Sequence, residues 1–321
     1  MTAFVNYNDI RNSAPHRGRR SFPHRHLHAW QGIVFFVLIM IVLLLTGRLV
    51  YSHTESVLAA TFSEQIILLL ASLLFTLLMR ADIREVFPVR KPCLPALFGV
   101  LVLILASVLA AEVFSLLTLH FSPESLEAAS ENMNILIQEP SIPVRFLLMC
   151  LCPAVCEEAV HRGVILNSFR NTFHDRRISI FLGGVFFGLF HIYPVRMIMP
   201  AFLGFIMSWM LLQTNNMLYG SLLHLGYNTL LILMSGASPR TEELQTLVFD
   251  VPSAYIGLAT AFLGMFVPFL IYMGIWLVYR GTAPRKPEFL SFKNTRFSVL
   301  WLILSTAFIL ILGILIFFGL L

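Results

Sequence analysis

W-Q-G-I-V-F-F-V-L-I-M-I-V-L-L-L-T-G, residues 30–47, places no charged side chain in the run. At the rise of an α-helix this run covers about 27 Å, close to the hydrocarbon thickness of a bilayer. In lipid the backbone must satisfy its own N–H and C=O groups, and a helix does so within one segment. Working outward, further apolar runs fall at 62–79, 93–119, 143–169, 178–194, 197–212, 217–235, 254–279 and 297–321. They predict an all-α, polytopic transmembrane helical bundle of nine spans, or eight if the fifth and sixth form a hairpin that stops short of crossing. Composition agrees: 58% of the 321 residues are hydrophobic, 12% are charged, and mean hydropathy is +0.82, which excludes an ordinary soluble domain.

Basic residues order the spans. Arg11, Arg17, Arg19, Arg20 and Arg25 precede the first run, and Arg80, Arg84, Arg90 and Lys91 follow the second. Arg170, Arg176 and Arg177 follow the fourth, and Arg280, Arg285, Lys286, Lys293 and Arg296 follow the eighth. These are alternate loops, as the bias of Lys and Arg toward the cytoplasm requires when the N-terminus is inside. The formal charge of +5 is therefore a matter of topology and indicates no nucleic-acid partner. Residues 1–28 read as a basic cytoplasmic tail. Residues 29–142 read as N-terminal spans with an external loop, 143–236 as a catalytic core, and 237–321 as C-terminal spans. Cys93, Cys150, Cys152 and Cys156 form no C-x-x-C pair and read as small buried side chains.

The fourth run contains C-E-E-A-V-H-R-G, residues 156–163. Ionisable groups in a membrane span are expensive and mark functional sites. Helical spacing pairs Glu158 with Arg162 at i,i+4 in the favourable order, so those two charges can neutralise each other. Glu157 is left without that cation and is free to take a proton from water, as a general base must. His161 lies one turn from Glu157, and two readings stay open: it acts on that glutamate, or it points at a neighbouring helix.

The fifth run ends F-F-G-L-F-H with His191, and the seventh contains H-L-G-Y-N, with His224 and Asn228 one turn apart. Counted from the cytoplasmic ends, Glu157 lies about 20 Å deep, His191 about 21 Å, His224 about 10 Å and Asn228 about 16 Å. All fall in one slab and can converge on a cavity. A carboxylate and two imidazoles can activate water, and an amide can stabilise an oxyanion, which is the equipment for peptide hydrolysis. Glu157, His191 and His224 could equally hold a divalent, zinc-like metal with one open position. No H-E-x-x-H is present. A different class, a transporter or partner-binding immunity protein using the same cluster for ions or protons, also fits the residues.

Taken in order, E-E-x-x-x-R-G (Glu157, Glu158, Arg162, Gly163), F-x-x-x-H (Phe187, His191) and H-x-x-x-N (His224, Asn228) resemble the CPBP family of intramembrane endopeptidases. That family includes type II CAAX prenyl proteases and bacteriocin-processing and self-immunity proteins. The resemblance covers residues 143–236. It implies a helical bundle with a cavity open to cytoplasm and membrane, metallo- or glutamate-dependent proteolysis, and a membrane-associated or lipid-anchored substrate. It also implies that Glu157 and His191 activate the water, that His224 and Asn228 form the oxyanion site, and that Glu158 and Arg162 support them. Short loops and the family type lead to the expectation of a bacterial plasma membrane.

Overall fold

The computed structural model describes residues 25–126, 141–236, 251–282 and 295–321. The expected tail up to residue 24, most of the loop at 120–142, the acidic segment at 242–250 and the basic loop at 283–294 lie outside these residues. Among the described residues there is no strand, and the apolar runs are helices. In chain order these are α1 (Ala29–Thr54), α2 (Val57–Leu78), α3 (Ile83–Val86) and α4 (Leu94–Phe121). A composite helix follows, made of α5 (Ile142–Phe146), π1 (Leu147–Leu151), α6 (Cys152–Glu158), π2 (Ala159–Ile165) and α7 (Leu166–Thr172). Then come α8 (Arg176–Leu189), α9 (Pro194–Thr214), α10 (Met217–Gly236), α11 (Ser253–Gly264), α12 (Val267–Thr282) and α13 (Thr295–Phe317).

Polar residues at run boundaries start the helices. Ser56 accepts from Ala59 N, Asp82 from Arg84 N and Asp175 from Arg177 N, each satisfying an N–H that the first turn leaves unpaired. Among the described residues, seven stretches are long and apolar enough to cross a membrane, with α11 and α12 counted together. The count differs from nine for physical reasons. The fourth run is the composite helix, interrupted by two π segments. The fifth is α8, whose 14 residues reach about 21 Å and pack as a hairpin against α9. The eighth run breaks between Gly264 and Val267 into two helices in sequence, which leaves the count unchanged.

Because lipid is as apolar as Leu, tight association rests on close packing at small residues. A Cβ on Gly99 of α4 would come within 2.8 Å of Gly274 O on α12, and one on Gly204 of α9 within 2.9 Å of Gly184 Cα on α8. The composite helix runs through the centre, with α1, α2, α8, α9 and α10 packed around it. Val160, Val164, Ile165, Leu166 and Phe169 on it are fully buried, whereas α1 and α13 turn residues such as Leu44, Leu45, Leu304 and Phe308 outward, as lipid-facing helices do.

Among the described residues, the basic connections after α2 and α7 meet at one end. Arg170 Nη2 and Asn167 Nδ2 donate to Glu85 O at 2.7 and 3.1 Å. Arg90 and Asn216 exchange backbone and side-chain bonds at 3.1 and 3.0 Å, and Arg176 Nη2 donates to Leu212 O at 2.7 Å. This polar latch ties the α7, α9 and α10 ends to the segment between α2 and α4. The cysteines depart from expectation in part: Cys150 and Cys156 are buried, while Cys93 and Cys152 are half-buried. Cys93 stands at the head of α4, where its N–H donates to Tyr219 Oη (2.9 Å) and its thiol to Gly281 O (3.0 Å).

Candidate active site

The composite helix is not uniform because Pro153 has no N–H to give to Met149 O, four residues earlier. Just before it the ladder widens, with Cys152 N bonding Leu147 O. Asn228 Nδ2, from α10, donates to the Met149 carbonyl at 2.9 Å. Beyond Glu158 the ladder widens again, Leu166 N reaching His161 O. Single π turns of this kind occur frequently at functional sites.

Glu157 and Glu158 close the α segment between the two π turns, and both are buried. Glu158 Oε1 lies 2.9 Å from Arg162 Nη1, the expected i,i+4 pair. The guanidinium is close but its N–H bonds are not aligned on that oxygen, so the contact is ionic rather than a hydrogen bond. Glu158 is not reserved for Arg162, however: the same Oε1 is 3.1 Å from His224 Nδ1 on α10. Gly220, one turn earlier on α10, leaves room for this carboxylate, since a Cβ there would stand 3.3 Å from Glu158 Oε2.

Glu157 is held more loosely. Its Oε2 is 3.9 Å from His224 Nε2, and its Oε1 accepts from Gln65 Nε2 of α2 at 3.4 Å. His224 thus bridges the two glutamates. Its Nδ1 faces Glu158 and its Nε2 faces Glu157, so each ring nitrogen has a carboxylate to which an N–H can donate.

Phe187, buried at 1% exposure, is the hub of the remaining groups. Arg162 lies over its ring at 4.2 Å, and the rings of His161, His191 and His224 stand 4.9, 5.5 and 5.5 Å from it. The F-x-x-x-H motif therefore contributes a spacer as well as an imidazole. His191 Nδ1 meets Phe187 O at 3.1 Å, and the ring lies close enough to Glu157 and His224 to feel their charges. The turn after it is strained: Ile192 has φ of +61°, a left-handed conformation that a β-branched residue rarely adopts.

The structure brings Glu157, Glu158, Arg162 and His224 into direct contact and sets His191 beside them across Phe187. Asn228 is spent, on one N–H, on Met149 O rather than on the glutamates. His161 turns away from Glu157 into a cage of Phe36, Phe187 and Phe190, and neither ring nitrogen has a hydrogen-bond partner. Of its two readings, pointing at neighbouring helices is the one adopted. The motif Gly163 has a packing reason, because a Cβ there would collide with the Phe87 ring.

Zinc-like ligation by Glu157, His191 and His224 suits the donor chemistry but not the arrangement. Among the described residues no three His, Cys, Asp or Glu side chains are grouped to hold a metal ion. Gln65 was missed in the sequence, and so was its neighbour Glu64, half-buried and within electrostatic reach of Glu157. A signal existed: Gln65 lies 13 residues from the end of α2 at Leu78, hence about 20 Å deep, the level reckoned for Glu157.

Residues 139–230 match a family model described as type II CAAX prenyl endopeptidase Rce1-like. This stretch carries all three motifs, and the match supports a likeness of that stretch to the CPBP/CAAX protease family. No curated protein and no solved structure matches the chain. The chain is thus a helical membrane protein whose motif-bearing core supports a CAAX-type intramembrane endopeptidase.

Proposed function

We propose that this protein hydrolyses a peptide bond of a membrane-associated or lipid-anchored protein or peptide, of the prenylated CAAX type, using water activated by Glu157 with His191. The supporting observation is the buried cluster Glu157–His224–Glu158–Arg162 inside the family-matched residues 139–230, joined from α2 by Gln65. Water loses a proton to the Glu157 carboxylate as its oxygen bonds to the scissile carbonyl carbon. The carbonyl π electrons move onto oxygen, and the donors assigned to that charge are the Nε2–H of His224 and the second N–H of Asn228. Collapse of the tetrahedral species breaks the C–N bond, and the proton held by Glu157 passes to the leaving amine.

Glu158 orients His224 by accepting at Nδ1, as the buried carboxylate does in a catalytic triad. It also balances Arg162, so one carboxylate serves both. No step is routed through a metal. With the polar latch cytoplasmic, the N-terminus is inside and cleavage occurs toward the cytoplasmic side.

The test is cleavage of a prenylated CAAX peptide by the purified chain in vesicles. Glu157→Gln and His191→Ala are expected to abolish it while leaving the protein folded and inserted. Retained cleavage in either variant would sink the assignment. A chelator that abolishes wild-type cleavage, restored by added zinc, would replace the glutamate-only mechanism with a metal-dependent one.

A further inference from the structure

Three polar side chains lie buried on α2: Gln65, Ser72 and Thr76. Ser72 and Thr76 satisfy themselves locally, each donating at 2.7 Å to a carbonyl one turn back on the same helix. Gln65 does not. Only 7% exposed, it faces the neighbouring composite helix and donates Nε2 to Glu157 Oε1 at 3.4 Å, while its own Oε1 is buried without a partner. A buried acceptor left unsatisfied is destabilising. Methionine would fill similar space without that cost, so local packing gives no reason for an amide here.

The geometry points to Gln65 as a positioning residue that holds Glu157 both before and after it takes the proton from water. Ionised Glu157 accepts from the Gln65 N–H. Once protonated, it carries an O–H that needs an acceptor, and the same amide carries an unpaired Oε1 that a half-turn about the last side-chain bond exchanges with Nε2. An amide offers one donor side and one acceptor side, which a carboxylate and a carboxylic acid use in turn. No other residue seen against Glu157 does both: His224 Nε2 faces its other oxygen at 3.9 Å and takes part in the chemistry. The proton-transfer part rests on the peptidase reading above; the positioning part does not.

Two readouts separate them. The infrared carboxyl and carboxylate bands that vanish in Glu157→Gln belong to Glu157. In Gln65→Met, which keeps side-chain volume, those bands are expected to shift. Cleavage of the prenylated CAAX peptide is expected to fall about tenfold to a hundredfold in kcat, with KM changed less than about twofold, the signature of a misplaced reacting group. Gln65→Asn, which keeps the amide but shortens its reach, is expected to do the same and covers the case in which Gln65→Met fails to fold. Ser72→Ala is the control and should move neither readout. Unmoved bands would overturn the inference whatever the cleavage rate, and so would shifted bands with unchanged kcat. Shifted bands in a chain whose wild type cleaves nothing would keep the positioning role and reject the peptidase.

Discussion

At the scale of single residues, the site is a set of charges that cannot be removed one at a time without consequence. Glu158 contacts both Arg162 and His224 and is fully buried. Removing one partner of a buried pair leaves the other charge uncompensated and typically costs about 3–5 kcal/mol. Glu158→Gln is therefore expected to lower the thermal unfolding temperature in detergent far more than Glu157→Gln, whose carboxylate has weaker partners. Equal shifts would show that Arg162 is balanced elsewhere. His161 behaves in the opposite sense: its ring nitrogens are buried without partners, so His161→Leu removes an unsatisfied group while keeping apolar contact with Phe36, Phe187 and Phe190. We expect that variant to melt at the wild-type temperature or above and to keep cleaving. Loss of activity in a well-folded His161→Leu protein would return the histidine to the mechanism.

Individual elements show how the site is aimed. His191 lies two residues past the end of α8, in a turn whose next residue, Ile192, occupies the left-handed region. L-residues there bear roughly 1–2 kcal/mol of strain, which Asn tolerates better. Ile192→Asn is expected to stabilise the fold by about 1 kcal/mol with His191 still in place, seen as a raised melting temperature at unchanged cleavage. A lowered temperature would mean that the isoleucine side chain, not the turn, holds that corner. Pro153 and Asn228 work as a pair of the same kind, one vacating a carbonyl and the other filling it. Asn228 thus braces the composite helix in addition to any role toward the substrate.

For the whole molecule, most of the architecture could be read from hydropathy, because lipid permits little beyond helices and the runs are long. The i,i+4 pair of Glu158 with Arg162 was equally readable, since it needs only local geometry. Three things were not. The short α8 and the broken α11–α12 run depend on tertiary packing at Gly184, Gly204 and the Gly264–Val267 corner, which periodicity does not report. The second partner of Glu158 is a residue 66 positions away on another helix. Gln65 lies among apolar neighbours, where only its depth links it to Glu157. Orientation is a property at this scale too: single cysteines introduced at Lys91 and Asp175, in a background lacking the native cysteines, should react with an impermeant thiol reagent only from the cytoplasmic side. Labelling from outside would invert the topology, and with it the side on which substrate is cut.

The π turn at Ala159–Ile165 also makes the chain sensitive to its length in a way that no side-chain substitution samples. The widened turn already holds one residue more than an α-helix would, so a deletion there closes the ladder in phase, whereas one residue inserted after Val164 finds no slack and rotates everything after it by about 100°. Glu157 and Glu158 would keep their places, but Asn167 and Arg170 would swing off Glu85, and Thr172 off the start of α1. The protein would be expected to insert yet lose the closure of its polar end, seen as protease sensitivity near residue 85. The single surplus residue works as a spacer between the chemistry and the membrane face that shelters it.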